Sequence, residues 1–443
     1  MLDNLTAARE QMAISLSFHI IFAVLGVGMP WLMLYAEARG IRTGDPIWTA
    51  LARRWAKASA IIFAIGAVSG TVLSFEFGLL WPNFMATYSG AFGVSFSLEA
   101  FAFFAEAIFL GLYFYGWDRL TPRAHWWTGV PVAIGGLASA GFVTTANAWM
   151  NAPVGIVMQG GKIVAAEPFA PFASPTSGPQ VTHMLLAALL CTGFAVAAVY
   201  AVGMLRGRRD AYHRRGLASG LVMGLVAAPL QVIVGDWAVR VVAETQPVKM
   251  AAMEGLGHTM AGAPLSVGGI YDAASGQLKG ALEIPKGLSL LLSYDPNAVV
   301  TGLDSVPAAD RPSVAIVHLC FDLMVGIGTA LVALGVWTLW YWWRHRKTTM
   351  EQIGERKWYL RAVVIAGPAA MVALIAGWIV TEVGRQPWIV FHLMRTTEAV
   401  SDQPGLYVYF YAAAAIYTLL AVTLVILLRR IATGAPKPEE VAA

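Results

Sequence analysis

Charge is what this chain of 443 residues has least of. Lys, Arg, Asp and Glu together make up 13%, about half of the roughly 25% of an average soluble domain. With 58% hydrophobic residues and a mean hydropathy of +0.63, that deficit excludes an ordinary soluble enzyme and a disordered chain. Cysteine is nearly absent. Cys191 and Cys320 stand alone within or beside apolar runs, which excludes CxxCH heme attachment, iron–sulfur spacing and a zinc cluster. Intramembrane histidine is also scarce: His19, His183 and His318 are too few for an oxygen-reducing heme–copper centre. The net charge of +4 is no nucleic-acid signal, because its location matters more than its sum. Aromatics, by contrast, are plentiful, with 16 Trp, 20 Phe and 14 Tyr. They suit interfacial belts and packing around a flat cofactor.

The fold class that follows is all-α and polytopic. A bilayer core about 30 Å thick needs about 20 apolar residues per helix. Nine runs qualify, near 11–38, 57–78, 94–116, 126–147, 181–205, 217–236, 313–343, 359–382 and 405–428. The first has no basic leader or small-residue cleavage site, so it is read as a span rather than a signal peptide. The loops 39–57, 117–125, 206–215 and 344–361 and the tail from 429 hold 21 of the 30 basic residues. The positive-inside rule then puts the N-terminus outside and the C-terminus in the cytoplasm. The chain divides into helices one to six (1–236), an extracytoplasmic loop (237–312), helices seven to nine (313–433) and a cytoplasmic tail (434–443). The Pro-rich segment within 148–180 is a second long outer connection.

Ionisable residues inside a span are costly and are functional candidates by default. Here they are His19, Glu76, Glu99, Glu106, His183, Asp236, His318, Asp322 and Glu382, with Met324 as a soft ligand. Taken singly, each has a plainer explanation. His19 or His183 could bond a neighbouring helix, Met324 could fill the core, and Glu382 with Arg385 could be an interfacial ion pair. Lys249 and Glu254 could be solvated loop charges. Yet His19, His183, Met324 and Glu382 all fall in the outer half of helices that alternate in direction, which one shared purpose explains better than four accidents. His and Met can supply axial bonds to heme iron; two strong ligands make an electron carrier and one leaves room for a gas. Glu99 and Glu106 are seven residues apart, two turns along one helix face, and suit a proton relay.

These residues resemble, in order along nearly the whole chain, subunit I of the cytochrome bd-type quinol oxidases. The most specific piece is Gly384-Arg385-Gln386-Pro387-Trp388, preceded by Gly377-Trp378 and Glu382. Phe18-His19, Gly116-Trp117-Asp118-Arg119-Leu120, Asn147-Ala148-Trp149-Met150 with Pro153, and Lys249–Glu254 support it. The resemblance implies His183 and Met324 as axial ligands of a low-spin heme b and Glu382 as ligand of a high-spin heme b. It implies His19 as ligand of heme d, or of a third heme b. Trp378 matches the aromatic placed among the hemes, and Arg385 and Arg9 match arginines near the high-spin pair. Lys249 and Glu254 match the quinol-oxidation pair, and Glu99 and Glu106 the acids of proton delivery. Three departures stand out: the 237–312 loop resembles the family's short form, Asp322 stands where well-known members carry Arg, and Glu106 is one residue closer to Glu99. The Asp322 charge predicts a lower heme potential.

The expected protein is therefore an electrogenic quinol:oxygen oxidoreductase of the bacterial cytoplasmic (inner) membrane. Its expected partners are a second membrane subunit, small accessory subunits, ubiquinol or menaquinol, O2 and lipid, with no nucleic acid. A proton-coupled secondary transporter and a quinone-linked cytochrome b passing electrons to another protein are the competing readings.

Overall fold

The computed structural model describes residues 3–160 and 162–433. The expected tail, 434–443, lies outside the described residues. The helices among them run α1 (Asn4–Thr43), α2 (Pro46–Leu80), α3 (Pro82–Gly116), α4 (Pro122–Asn151), α5 (Ala170–Ala173), α6 (Ser177–Leu205) and α7 (Ala211–Thr245). After these come α8 (Pro247–Glu254), α9 (Gly287–Ser293), α10 (Val314–Arg344), α11 (Thr349–Glu355), α12 (Lys357–Val383), α13 (Thr396–Ala399) and α14 (Leu406–Thr433). Nine of the described helices, α1 to α4, α6, α7, α10, α12 and α14, are long and apolar enough to cross a membrane. They coincide with the nine expected spans.

All but α10, which is offset from its apolar run by one residue at each end, outrun the apolar stretch that announced them at both ends or by a full turn at one. Hydropathy marks where lipid ends, whereas capping chemistry marks where a helix ends. Asp3 accepts from the Thr6 amide at 2.9 Å to start α1, and Asp45 accepts from the Ile47 amide at 3.0 Å to start α2. Pro opens α2, α3, α4 and α8, where its missing N–H costs nothing and its φ suits the first turn. Gly44, at φ 67°, closes α1. Only Gly44 and Asp45 separate α1 from α2, and only Trp81 separates α2 from α3, so these helices must turn back on one another.

The expected boundary at 237 moves. Helix α7 continues to Thr245, carried past the apolar run by the Arg240–Asp236 ion pair at 2.9 Å. The excursion then spans 246–313 and is built rather than structureless. It holds α8, α9 and short antiparallel ribbons pairing 260–261 with 299–300, 265–267 with 282–284, and 270–272 with 277–279. Met250, Met253, Leu288, Leu303, Val317, Phe321 and Val380 form one hydrophobic cluster, which seats this excursion on α10 and α12. The described part of 148–180 is likewise built: α4 runs on to Asn151, and a ribbon of Ile156–Gln159 with Lys162–Ala166 precedes α5.

In the bundle, α1 packs on α2, α4, α6 and α14, α6 on α7 and α12, and α10 on α12. The ends of the bundle are therefore unlike. One, the loop end, carries the 246–313 excursion and the connection from Gly384 to Gly405. A second cluster built on Trp81, Phe84, Tyr88, Phe92 and Trp149 ties that connection, through Ile389 and Val390, to α3 and α4.

Candidate functional site

Three of the four expected iron ligands sit against a glycine of the facing helix. A Cβ at Gly70 of α2 would lie 2.9 Å from His19 Cε1. One at Gly235 of α7 would lie 3.3 Å from His183 Cε1, and one at Gly377 of α12 would lie 2.9 Å from Met324 Sδ. Three separate helix pairs thus close around His19, His183 and Met324 with no side chain opposite.

The hydrogen bonds of His19 fix its tautomer. Ser69 Oγ lies 3.0 Å from the Ile65 carbonyl and 3.1 Å from that of Gly66, so its proton points at the backbone. It can then only accept from His19 Nδ1, 3.0 Å away. Nε2 keeps its lone pair and has no protein partner among the described residues. A second-sphere bond on one ring nitrogen with the other left bare is how a metal-ligating imidazole is held. At His183 the Gln231 amide lies 3.0 Å from Nε2. His183 Nδ1 and Gln231 Oε1 are both buried without a partner among the described residues. These orphaned polar atoms and glycine-lined faces fit a bulky, flat group ligated through iron.

Glu382, Arg385, Lys249 and Arg9 come together at the loop end. Glu382 accepts from the Asn147 side-chain amide and, at 2.6 Å, from Arg385. Arg385 is buried, and its Nε and Nη1 have no partner among the described residues; two bare donors there fit an anionic group. Lys249 Nζ donates to Asn151 Oδ1 at 2.5 Å, and its stem lies over Gly384, where a Cβ would be 2.9 Å from Cγ. Lys249 is buried, so desolvation and the neighbouring Arg385 cation hold its pKa well below the usual lysine value, with Glu382 opposing them. Arg9 of α1 donates at 2.7 Å to Gln386 Oε1, which Thr396 also bonds at 2.8 Å. Trp378 is half-buried against the main core one turn before Glu382.

Glu254 ends α8, five residues after Lys249. It is buried and accepts from the Ser266 amide at 3.3 Å. Burial first, and then the Asp322 carboxylate, push its pKa up to about 7 against the opposing pull of the Ser266 bond and His318. Lys249 and Glu254 therefore share a helix but occupy different clusters.

Glu99 and Glu106 both face α4. Ser139 donates to Glu99 at 3.0 Å. Glu106 lies against Gly135 and Gly136, with its Oε1 3.5 Å from a Cβ built at Gly136. One heptad further along α3, Tyr113 donates to Glu37 at 2.8 Å, and Glu37 pairs with His125 Nδ1 at 2.7 Å. Sequence reading passed over Glu37, Tyr113 and His125. It also gave no role to Ser69, Gln231, Asn147 and Asn151, the residues that orient the charged ones. The signal for Asn147 and Asn151 was their i, i+4 spacing, which puts both amides on one face of α4.

The chain is similar to known proteins over nearly its whole length. The family model for cytochrome bd terminal oxidase subunit I matches residues 7–436. The chain is 33% identical over 431 residues to the putative cytochrome bd menaquinol oxidase subunit I of Bacillus subtilis (strain 168), covering 96% of each. It is 29% identical to the cytochrome bd ubiquinol oxidase subunit 1 of the same organism, covering 98% of this chain and 95% of that one. Among solved structures, the bd oxidase from Geobacillus thermodenitrificans superposes with a TM-score of 0.90 at 36% identity, over 97% of this chain and 98% of that one.

Proposed function

The chain belongs to the cytochrome bd terminal oxidase subunit I family, and from that premise we propose a division of labour among its polar clusters. The protein is a heme-binding, multi-pass subunit of a bacterial terminal quinol oxidase, a quinol:oxygen oxidoreductase of the inner membrane that works with a second subunit. The transporter and the electron-passing cytochrome b are not favoured by these likenesses. In the finer assignment, His183 and Met324 hold a low-spin heme b, Glu382 a high-spin heme b, and His19 a heme d or third heme b. The hemes supply one-electron carriers and an iron that binds O2.

The side chains do the rest. Glu254, with a pKa near 7, takes a proton from quinol at little cost at neutral pH. Lys249 donates a hydrogen bond from a site where its own charge is suppressed. Arg385 and Arg9 hold negative charge at the GRQPW connection, and Trp378 packs between the clusters. Glu99 and Glu106 pass protons along α3 from the end opposite the loop. Taking substrate protons from the cytoplasm and releasing quinol protons outside separates charge without a pump. Each charge moved is worth about 2.3 kcal/mol per 100 mV.

The observation that carries this reading is the setting of His19, with Ser69 Oγ 3.0 Å from Nδ1 and no partner for Nε2 among the described residues. The purified complex is expected to show heme bands in a reduced-minus-oxidised spectrum. Lys249→Ala is expected to lower quinol-driven O2 consumption by about tenfold or more while dithionite still reduces every heme. A colourless complex, or quinol turnover unchanged in Lys249→Ala, would overturn the corresponding assignment.

A further inference from the structure

His318 is fully buried on α10, and both of its ring nitrogens face acceptors. Nδ1 lies 2.8 Å from the Met253 carbonyl and Nε2 lies 3.0 Å from the Gly268 carbonyl. A carbonyl oxygen cannot donate, so both bonds form only when both nitrogens carry protons. A neutral ring would leave one of the two, the buried Met253 carbonyl or the part-buried Gly268 carbonyl, without its bond to the ring. Asp322, one turn further along α10, lies 3.4 Å from Nε2 and supplies the counter-charge. The same carboxylate accepts from the Gly268 amide at 2.7 Å. The Gly268 residue, at φ 69°, is thus held at its N–H by Asp322 and at its carbonyl by His318.

Both segments gripped this way end at Glu254. Met253 is its chain neighbour in the last turn of α8, and its carbonyl is not used by the Gly255 cap, which bonds Ala251 and Ala252. A cation at that helix C-terminus is favoured by the dipole. Gly268 lies two residues from Ser266, whose amide bonds the Glu254 carboxylate. One imidazole therefore fixes the backbone that carries Glu254 and the strand that orients its side chain.

We propose that His318, as an imidazolium paired with Asp322, clasps the Gly268 peptide and the end of α8 to α10, and is the positioning residue that holds Glu254 for quinol oxidation. The inference rests on the reading of Glu254 given above. The ionisable groups facing the ring are Asp322 on α10 and Glu254 on α8. Those on the other packed elements are already paired: Asp272 with Lys279, Asp236 with Arg240, and Glu382 with Arg385.

The test uses the purified oxidase complex with His318→Gln and His318→Leu, and Glu254→Gln beside them. Hydrogen exchange across 253–269 is expected to quicken about tenfold to a hundredfold in His318→Leu, as two charge-assisted bonds are lost, and less in His318→Gln. Quinol-driven kcat is expected to fall about tenfold with the heme content and dithionite reduction unchanged. Its acidic limb is expected to move to higher pH, because removing a neighbouring cation raises the Glu254 pKa. Unchanged exchange in His318→Leu overturns the clasp. Faster exchange with an unaltered quinol kcat and pH profile overturns the positioning role. Full quinol turnover in Glu254→Gln overturns the reading of Glu254 itself, and with it the purpose assigned to His318, while exchange still reports on the clasp.

Discussion

The His19 pocket and the His318 clasp are both buried histidine sites near the loop end, and they are opposites. His19 gives one nitrogen to Ser69 and keeps the other bare. His318 gives both nitrogens to carbonyls and keeps none. The first arrangement can bind a metal and the second cannot without breaking a bond to the backbone. A histidine inside a membrane protein is thus not a ligand because it is buried. It is a ligand when its second nitrogen has nothing to do. Glycine serves both sites, since Gly70 lets α2 approach the His19 ring with no side chain between them whereas Gly268 is itself held by His318 and Asp322.

The largest effect expected to test this contrast is at the bare nitrogen. His19→Leu should remove one heme signature from the spectrum and reduce O2 consumption by about a thousandfold, on the scale of losing an essential catalytic group. Gly70→Ala should reproduce part of that loss, because its Cβ would stand 2.9 Å from His19 Cε1. Gly26→Ala on α1, with nothing within 4 Å, is the matched control. Equal heme content in Gly70→Ala and Gly26→Ala would show that the close approach of α2 to His19 does not matter for the heme.

A smaller effect is expected at Glu254. Its folded pKa, about 7, stands above the ordinary carboxyl value of 4.5. The folded protein therefore holds a proton that the unfolded chain releases, and burying this group costs stability increasingly as pH rises from about 4.5 to 7. Catalysis runs the other way: a proton acceptor works once ionised, so quinol oxidation should rise through about pH 7. Glu254→Gln should lose that limb and gain thermal stability at pH 8. A limb that persists in the variant would assign it to another group.

Much of this was legible in the sequence. Lipid forbids unpaired backbone, so nine long apolar runs already meant nine spanning helices, and basic loops already implied an orientation. The charged site residues were legible too, because a charge in a span needs a reason. What escaped was the neutral chemistry. Ser69, Gln231, Asn147 and Asn151 are cheap to bury when bonded and so leave no mark in hydropathy. Their function depends on which helix they face, a property of packing. Helix ends escaped for a related reason. Asp3 and Arg240, the latter paired with Asp236 at the end of its span, extend α1 and α7 with polar residues that a hydropathy reading assigns to loops. Glu37 was missed inside its own span, since only the fold brings Tyr113 and His125 onto its carboxylate.

The smallest effect separates charge from bonding at Asp322. Read alone, a carboxylate two residues before Met324 lowers the potential of the heme that Met324 is proposed to ligate, because it stabilises the more positive, oxidised iron. In the folded chain that carboxylate faces the His318 imidazolium and accepts from the Gly268 amide, so most of its field is offset at close range. Asp322→Asn keeps an oxygen for the Gly268 amide and removes only the charge. It should leave exchange across 253–269 near its native rate and raise the midpoint potential of the low-spin heme. The expected rise is below about 60 mV, less than a tenfold change in a one-electron equilibrium. No rise in a spectroelectrochemical titration would mean that the Asp322 charge does not act on that heme.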